Sequence, residues 1–123
     1  MTPTIRSLLA AAAIAFVASP AYAACDVVNF PETHVSKDAG IEELRSAGTT
    51  IQKANAELEK FNQCIDKMAK KPLPKDATKE QIAAHEAEVS KNTDAYNKSL
   101  DNLQKAATEY NAAVQAYKAR SKG

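Results

Sequence analysis

Residues 78–120, TKEQIAAHEAEVSKNTDAYNKSLDNLQKAATEYNAAVQAYKAR, decide the fold. Counting in sevens from Ile82 meets Val89, Tyr96, Leu103, Tyr110 and Tyr117, and a companion series four residues further on meets Glu86, Thr93, Leu100, Ala107 and Val114. Steps of four and three alternate along one narrow line of a helix, and an apolar line of that kind needs a second helix to cover it. The spacing predicts one helix over about 78–120. Its start is marked by Thr78-Lys79-Glu80-Gln81, a Thr-x-x-Gln capping box, with Asp76 as a rival cap.

Immediately upstream, Lys70-Lys71-Pro72-Leu73-Pro74-Lys75-Asp76 is a break, because two prolines remove backbone donors and forbid helix continuation. A preceding helix over about 38–70 carries a seam of its own. Leu44, Ile51, Leu58 and Ile65 recur every seven residues, and three positions after each come Ala47, Ala54, Phe61 and Met68. Ser36 and Asp38 are its candidate N-caps, with Glu42 and Glu43 in the turns where the helix dipole favours acids. Gly40 and Gly48 fall inside it; Gly48 reads either as room for a neighbouring backbone or as a kink.

A connection this short makes antiparallel neighbours. Pairing outward from the turn sets Ile65 near Ala83, Leu58 near Ser90, Ile51 near Asn97 and Leu44 near Gln104. On that register the second helix overhangs the start of the first by about nine residues, or ~13 Å. Val114 and Tyr117 then lack cover, which makes them the candidate contacts for a partner.

Residues 24–37 are neither helical nor alternating, and Pro31 pushes Phe30 toward extended geometry. Cys25 and Cys64 are the 2 cysteines of the chain. An even pair in an exported protein is most simply a disulfide. From Asp38 to Cys64 the first helix covers about 39 Å, and the thirteen steps from Cys25 to Asp38 reach about 45 Å at most. The bond therefore requires residues 25–37 to run antiparallel along the first helix, pressing Val27, Val28 and Phe30 into the hairpin. A redox-active pair is the competing reading, without the Cys-x-x-Cys spacing of a thiol oxidoreductase.

Export is read from residues 1–23: Arg6 is a positive n-region, Leu8 to Val17 a short apolar run, and Ala21-Tyr22-Ala23 a small-x-small site cleaved after Ala23. A membrane span needs roughly 20 apolar residues, and this run stops at Pro20. Lipidation of Cys25 is a rival, with Tyr22-Ala23-Ala24 in place of the usual lipobox leucine. Periplasmic location is the expectation. Cleavage takes 123 residues to 100 and the 16 basic side chains to 15, level with 15 acidic ones. That balance argues against nucleic acid as partner.

Charge is nevertheless segregated along the chain. Residues 67–79 hold Lys67, Lys70, Lys71, Lys75 and Lys79 against Asp76. The turn reads either as lysines that finish a helix and keep a loop soluble, or as a basic tip for an anionic envelope surface. Other signals fail. His85-Glu86 starts a zinc-protease pattern that ends at Val89, and His34 and His85 are the 2 histidines. Asp94 with Lys98, Asp101 with Lys105 and Glu57 with Lys60 read as solvated pairs. Tyr96 and Tyr110 read as core. Asn97-Lys98-Ser99 matches a glycosylation sequon by chance.

At Phe61-Asn62-Gln63-Cys64-Ile65-Asp66 and Tyr110-Asn111-Ala112-Ala113-Val114-Gln115-Ala116-Tyr117-Lys118 the chain resembles a group of small, exported, uncharacterised bacterial proteins. Those have one cysteine after the leader and one late in the first helix. The resemblance implies a fold and no activity.

The reading is an all-α, two-helix antiparallel coiled-coil-like hairpin with an extended N-terminal arm tethered by a disulfide. Its function is expected to be non-catalytic, structural or interacting, with no cofactor and no small-molecule substrate. A protein partner or a second copy would complete its core. A holdase that grips unfolded clients is the alternative.

Overall fold

A computed structural model describes residues 25–122, so the leader and its cleavage site lie outside the described residues. Two α-helices, α1 (Ile41–Lys70) and α2 (Lys79–Ser121), form an antiparallel hairpin, and residues 25–40 form an extended arm. Cys25 and Cys64 are joined by a disulfide. Among the described residues no helix is long and apolar enough to cross a membrane.

The capping box at the start of α2 is complete. The Gln81 N–H donates to Thr78 Oγ1 at 3.1 Å, and the Thr78 N–H donates to Gln81 Oε1 at 2.9 Å. α1, by contrast, begins later than Ser36 or Asp38 would allow. The Ser36 hydroxyl accepts from the Asp38 N–H, and its carbonyl accepts from the Ala39 N–H at 3.1 Å, closing a turn before the helix starts. Gly40, extended at φ −78°, ψ 172°, is the N-cap and therefore carries no helix-interior cost.

The α1 seam is where the heptads put it, with Leu44, Ala54, Leu58, Phe61, Ile65 and Met68 buried. The α2 seam is not. Tyr96, Leu103 and Tyr110 pack inward, but the buried companion line runs three residues after each repeat position: Asn92, Ser99, Ala106 and Ala113. Thr93, Leu100, Ala107 and Val114, expected to share the seam, stand half-buried on its other flank. The cause is the arm, which lies against the line of short side chains. An extended backbone can approach a helix closely only where no long side chain intervenes.

The register also differs from equal outward pairing. The Phe61 and Tyr96 rings meet edge to face with centroids 6.4 Å apart, and Asn92 Nδ2 lies 3.7 Å from Met68 Sδ. Ile65, between Phe61 and Met68, is thus level with residues between Asn92 and Tyr96 rather than with Ala83. The extra length of α2, 43 residues against 30 in α1, therefore extends past the turn end of α1. The Pro-rich connection spans that distance by running back beside α2. At the opposite end Val114 and Tyr117 are level with the start of α1 and pack on Val35, Ala39, Leu44 and Ala113. The overhang predicted for them does not exist: the turn takes up the surplus and the arm supplies the cover.

Gly48 is explained by a side chain rather than a backbone. A Cβ built there would stand 2.9 Å from Tyr110 Oη, so the missing methyl lets the phenol lie flat on α1, and the helix runs unbroken across it. Asn92 is buried, and its Oδ1 has no hydrogen-bond partner among the described residues. Leaving such an acceptor dry costs about 1–3 kcal/mol.

Candidate functional site

The arm straddles the two helices and runs parallel to α2, held along its length by α2 side chains. The Ser99 hydroxyl donates to the Val28 carbonyl at 2.8 Å and accepts from the Phe30 N–H at 2.9 Å. Asn102 Nδ2 donates to the Phe30 carbonyl at 2.9 Å. Further on, the Val35 N–H donates to Glu109 Oε2 at 2.8 Å, and the Arg120 guanidinium donates to the carbonyls of Lys37 and Ala39 at 2.6 and 2.9 Å. A strand laid on a helix has no ladder to join, so side chains must satisfy its backbone. The lengths agree. Val28 to Ala39, extended, covers about 36 Å, and Ser99 to Arg120 covers about 32 Å of helix.

His34 and Glu109 form a clasp midway along this zipper, with His34 Nδ1 3.0 Å from Glu109 Oε1. The hydrogen bond to Glu109, and then its charge, raises the His34 pKa above its ordinary 6.5. The same hydrogen bond, followed by that from the Val35 N–H, lowers the Glu109 pKa below its ordinary 4.5. Both groups are close to solvent, so the clasp tunes the arm rather than holding it.

Beside the clasp, a cleft of about 310 Å³ opens between the arm and α1, with Phe30, Val35, Ala47 and Ile51 below and Glu43, Ser46 and Thr50 on its α1 side. It falls between the two core clusters, one built around Phe61 and Leu103 and the other around Leu44 and Ala113.

The two flanks of the helix pair are chemically different. On the arm side the outward residues include Glu43, Glu57, Lys60 and Glu109, and charge is present throughout. On the other side no described residue covers the seam. A groove of about 340 Å³ runs there with Ile51, Leu100, Leu103 and Ala107 at its base and Gln52, Asn55 and Gln104 at its rim. Helical repeats of seven extend the rim from Asn55 to Asn62, from Gln52 to Arg45 and Glu59, and from Gln104 to Asn97 and Asn111, all exposed. Amides edge the middle of this groove, and Arg45 and Glu59 flank them on α1.

The predicted site residues are distributed as follows. Cys25 is 6% exposed and seals one end of the arm against Cys64. Val114 is half-buried and packs on the cluster of Leu44 and Ala113, beyond the end of the groove at Leu100 and Ala107. Tyr117 is half-buried, with Arg120 stacked 5.7 Å from its ring centre, so it anchors the arm end of the core. Lys67, Lys70, Lys71, Lys75 and Lys79 are all exposed near the turn, but Lys70 pairs with Asp66 at 2.8 Å. The register brings Glu80, Glu86 and Glu88 to the same end, so the tip is mixed in sign. Among the expected solvated pairs, Asp101 meets Lys105 at 3.0 Å. Ser99, Asn102, Glu109 and Arg120, which grip the arm, carried no sequence signal beyond the short side chains at Ser99, Ala106 and Ala113.

Among the described residues no group of three or more His, Cys, Asp or Glu side chains is placed to hold a metal ion. Compared with models of known protein families, with curated proteins and with solved structures, the chain matches none.

Proposed function

We propose that this is an exported, non-catalytic interaction protein of the cell envelope, and that it takes a protein partner in the uncovered groove of its helix pair. One observation carries the reading: the hairpin has two grooves, its own arm fills one, and the other is left lined by Ile51, Leu100, Leu103 and Ala107. Apolar seams are normally covered, and a half-covered one with aliphatic side chains at its base has the composition of an interface centre. The disulfide supports a place in an oxidising compartment, with the periplasm as the reading from the leader.

The test is a photo-activated crosslinker carried at Gln104, compared in living cells with one at Lys98 on the opposite flank of α2. Adducts at Gln104 and not at Lys98 are expected. No adduct at Gln104, or equal adducts at both positions, overturns the assignment of the groove.

A further inference from the structure

We infer that the groove beneath the arm is a binding site for an extended polypeptide. The chain's own arm fills it while the bond between Cys25 and Cys64 is closed, and a segment of another protein replaces the arm once a dithiol reduces that bond. This site is separate from the uncovered groove and stands whether or not that groove takes a partner.

The manner in which the arm is gripped is the first ground. α2 side chains bond to six arm groups, and all six are main-chain: the carbonyls of Val28, Phe30, Lys37 and Ala39 and the N–H groups of Phe30 and Val35. Among the described residues a single arm side chain, that of His34, hydrogen-bonds to a helix. Every residue except proline carries the same N–H and C=O, so Ser99, Asn102, Glu109 and Arg120 read the path of a chain and not its sequence. Apart from the tie at Cys25, the deeply buried arm side chains are Phe30, Val35 and Ala39, while Asp26, Val27, Asn29, Pro31, Glu32 and His34 face water. Another segment therefore fits if it is apolar or small at those three places and has no proline where Ser99 or Glu109 accepts an N–H.

Loose lateral packing is the second ground. Clefts border the arm on both sides: about 310 Å³ beside Val35 and about 580 Å³ beside Val27 on the α1 side, and about 440 Å³ beside Asn29 on the α2 side. A permanent core element is closed in by its neighbours at crystal-like density, whereas this one has open space along its length. Its advantage over a competitor is the tie. Fastened at both ends, the arm has an effective concentration in the groove that a segment in solution does not reach. Cys64 is half-buried and lines the largest of the three clefts, so a thiolate reaches its sulfur from outside the core. In that exchange a reductant thiolate attacks Cys64 Sγ, the disulfide breaks, and Cys25 leaves as a thiolate that takes up a proton. The reductant's second thiol then loses its proton and displaces Cys64, which is protonated in turn, leaving the reductant as the disulfide. The arm is now fastened at its carboxyl end alone, and its amino end is free to peel away.

The experiment is fluorescence anisotropy of a labelled synthetic peptide of residues 26–40, titrated with the protein to about 1 mM. The oxidised protein is expected to leave the peptide free. Reduction by dithiothreitol should tighten binding at least about tenfold, and Phe30→Ser in the reduced protein, which removes the arm's own anchor, should tighten it about tenfold more. A peptide with new residues in place of Asp26, Val27, Asn29, Glu32 and His34 should bind within about threefold of the first. N-methylation at Phe30 removes the N–H that Ser99 accepts and should weaken binding about tenfold, while the same change at the exposed Glu32 leaves it alone.

Circular dichroism shows whether the reduced protein keeps its helices. If it does not, Phe30→Ser with the disulfide closed carries the test, because its helices stay tied and it should take the peptide more tightly than the unaltered oxidised protein does. Equal binding to the oxidised and reduced forms overturns the inference, as does an absence of binding to every form. Indifference to N-methylation at Phe30 overturns it as well, since the groove would then hold side chains and not a backbone.

Discussion

Ser99 and Leu100 are neighbours in the chain and face opposite grooves of the same helix pair. Ser99, small and polar, is 1% exposed and binds two backbone groups of the arm; Leu100, large and apolar, is half-exposed. Hydrophobicity alone would have ranked them the other way. What decides burial here is the geometry of the covering element, since an extended strand needs short side chains beneath it and hydrogen-bonding groups beside it, whereas a helix needs long apolar ones. The filled groove is therefore small and polar, and the unfilled one is aliphatic at its base.

The comparison breaks most severely at the sulfur bond. Replacing Cys25 and Cys64 by Ser should cost about 3–4 kcal/mol in urea unfolding, the chain-entropy value for a loop of this length, 39 residues of separation. Hydrogen exchange should show the loss concentrated in the arm, with amides of Val28 and Phe30 exchanging far ahead of those in α1. Uniform loss across both helices would mean that the arm is not a separate layer.

Next come the neighbours themselves. Ser99→Ala strands the Phe30 N–H and the Val28 carbonyl and is expected to destabilise by about 2 kcal/mol, whereas Leu100→Ser in the isolated hairpin should cost under about 1 kcal/mol. The order should reverse for crosslinking at Gln104, which Leu100→Ser is expected to weaken and Ser99→Ala to leave alone. Equal stability costs at the two positions would erase the distinction between the grooves.

A smaller effect follows from the clasp. His34, with its pKa raised in the folded chain, adds stability that is complete below its ordinary 6.5 and is lost as pH rises through the elevated value. Glu109, with its pKa lowered, adds stability present above its ordinary 4.5 and lost as pH falls through the depressed value. The arm should be held best between about pH 4.5 and 6.5, read as slowest exchange of the Val35 amide after correction for intrinsic rates. His34→Gln should abolish the loosening on the alkaline side and shrink that on the acid side to the part the Val35 N–H supports.

The smallest effect is expected at Gly48. Alanine there gains about 1 kcal/mol of helix propensity but displaces the Tyr110 phenol, whose Oη stands 2.9 Å from the added carbon. The net change in urea should fall within about 1 kcal/mol of zero. Tyr110→Phe should move it toward stabilisation by removing the nearest atom.

Periodicity made much of this legible. Heptads at Leu44, Ile51, Leu58 and Ile65 identified the inner face of α1, Thr78 and Gln81 marked the start of α2, and two cysteines with chain geometry put an extended arm along α1. Register was not legible, because Pro72 and Pro74 end a helix without saying how far the chain runs before Thr78 starts the next. The α2 seam misled for a related reason. Leu100, Ala107 and Val114 are more apolar than Asn92, Ser99, Ala106 and Ala113, and only the position of the arm reveals why the second set is inside. As for the uncovered groove, Leu100 and Ala107 read as seam in sequence, and only the position of the arm shows that they lie outside it.

The arm's hydrogen-bond partners stand far ahead of it in the chain, 69 residues from Phe30 to Ser99 and 81 from Ala39 to Arg120. Cys64 comes much sooner after Cys25, at a separation of 39. A polypeptide threaded through a channel with its amino end leading would thus offer both thiols for oxidation before any of the residues that seat the arm had emerged. The covalent tie can be made while its cradle is still missing, and the last helix to arrive would close against a leash already fastened.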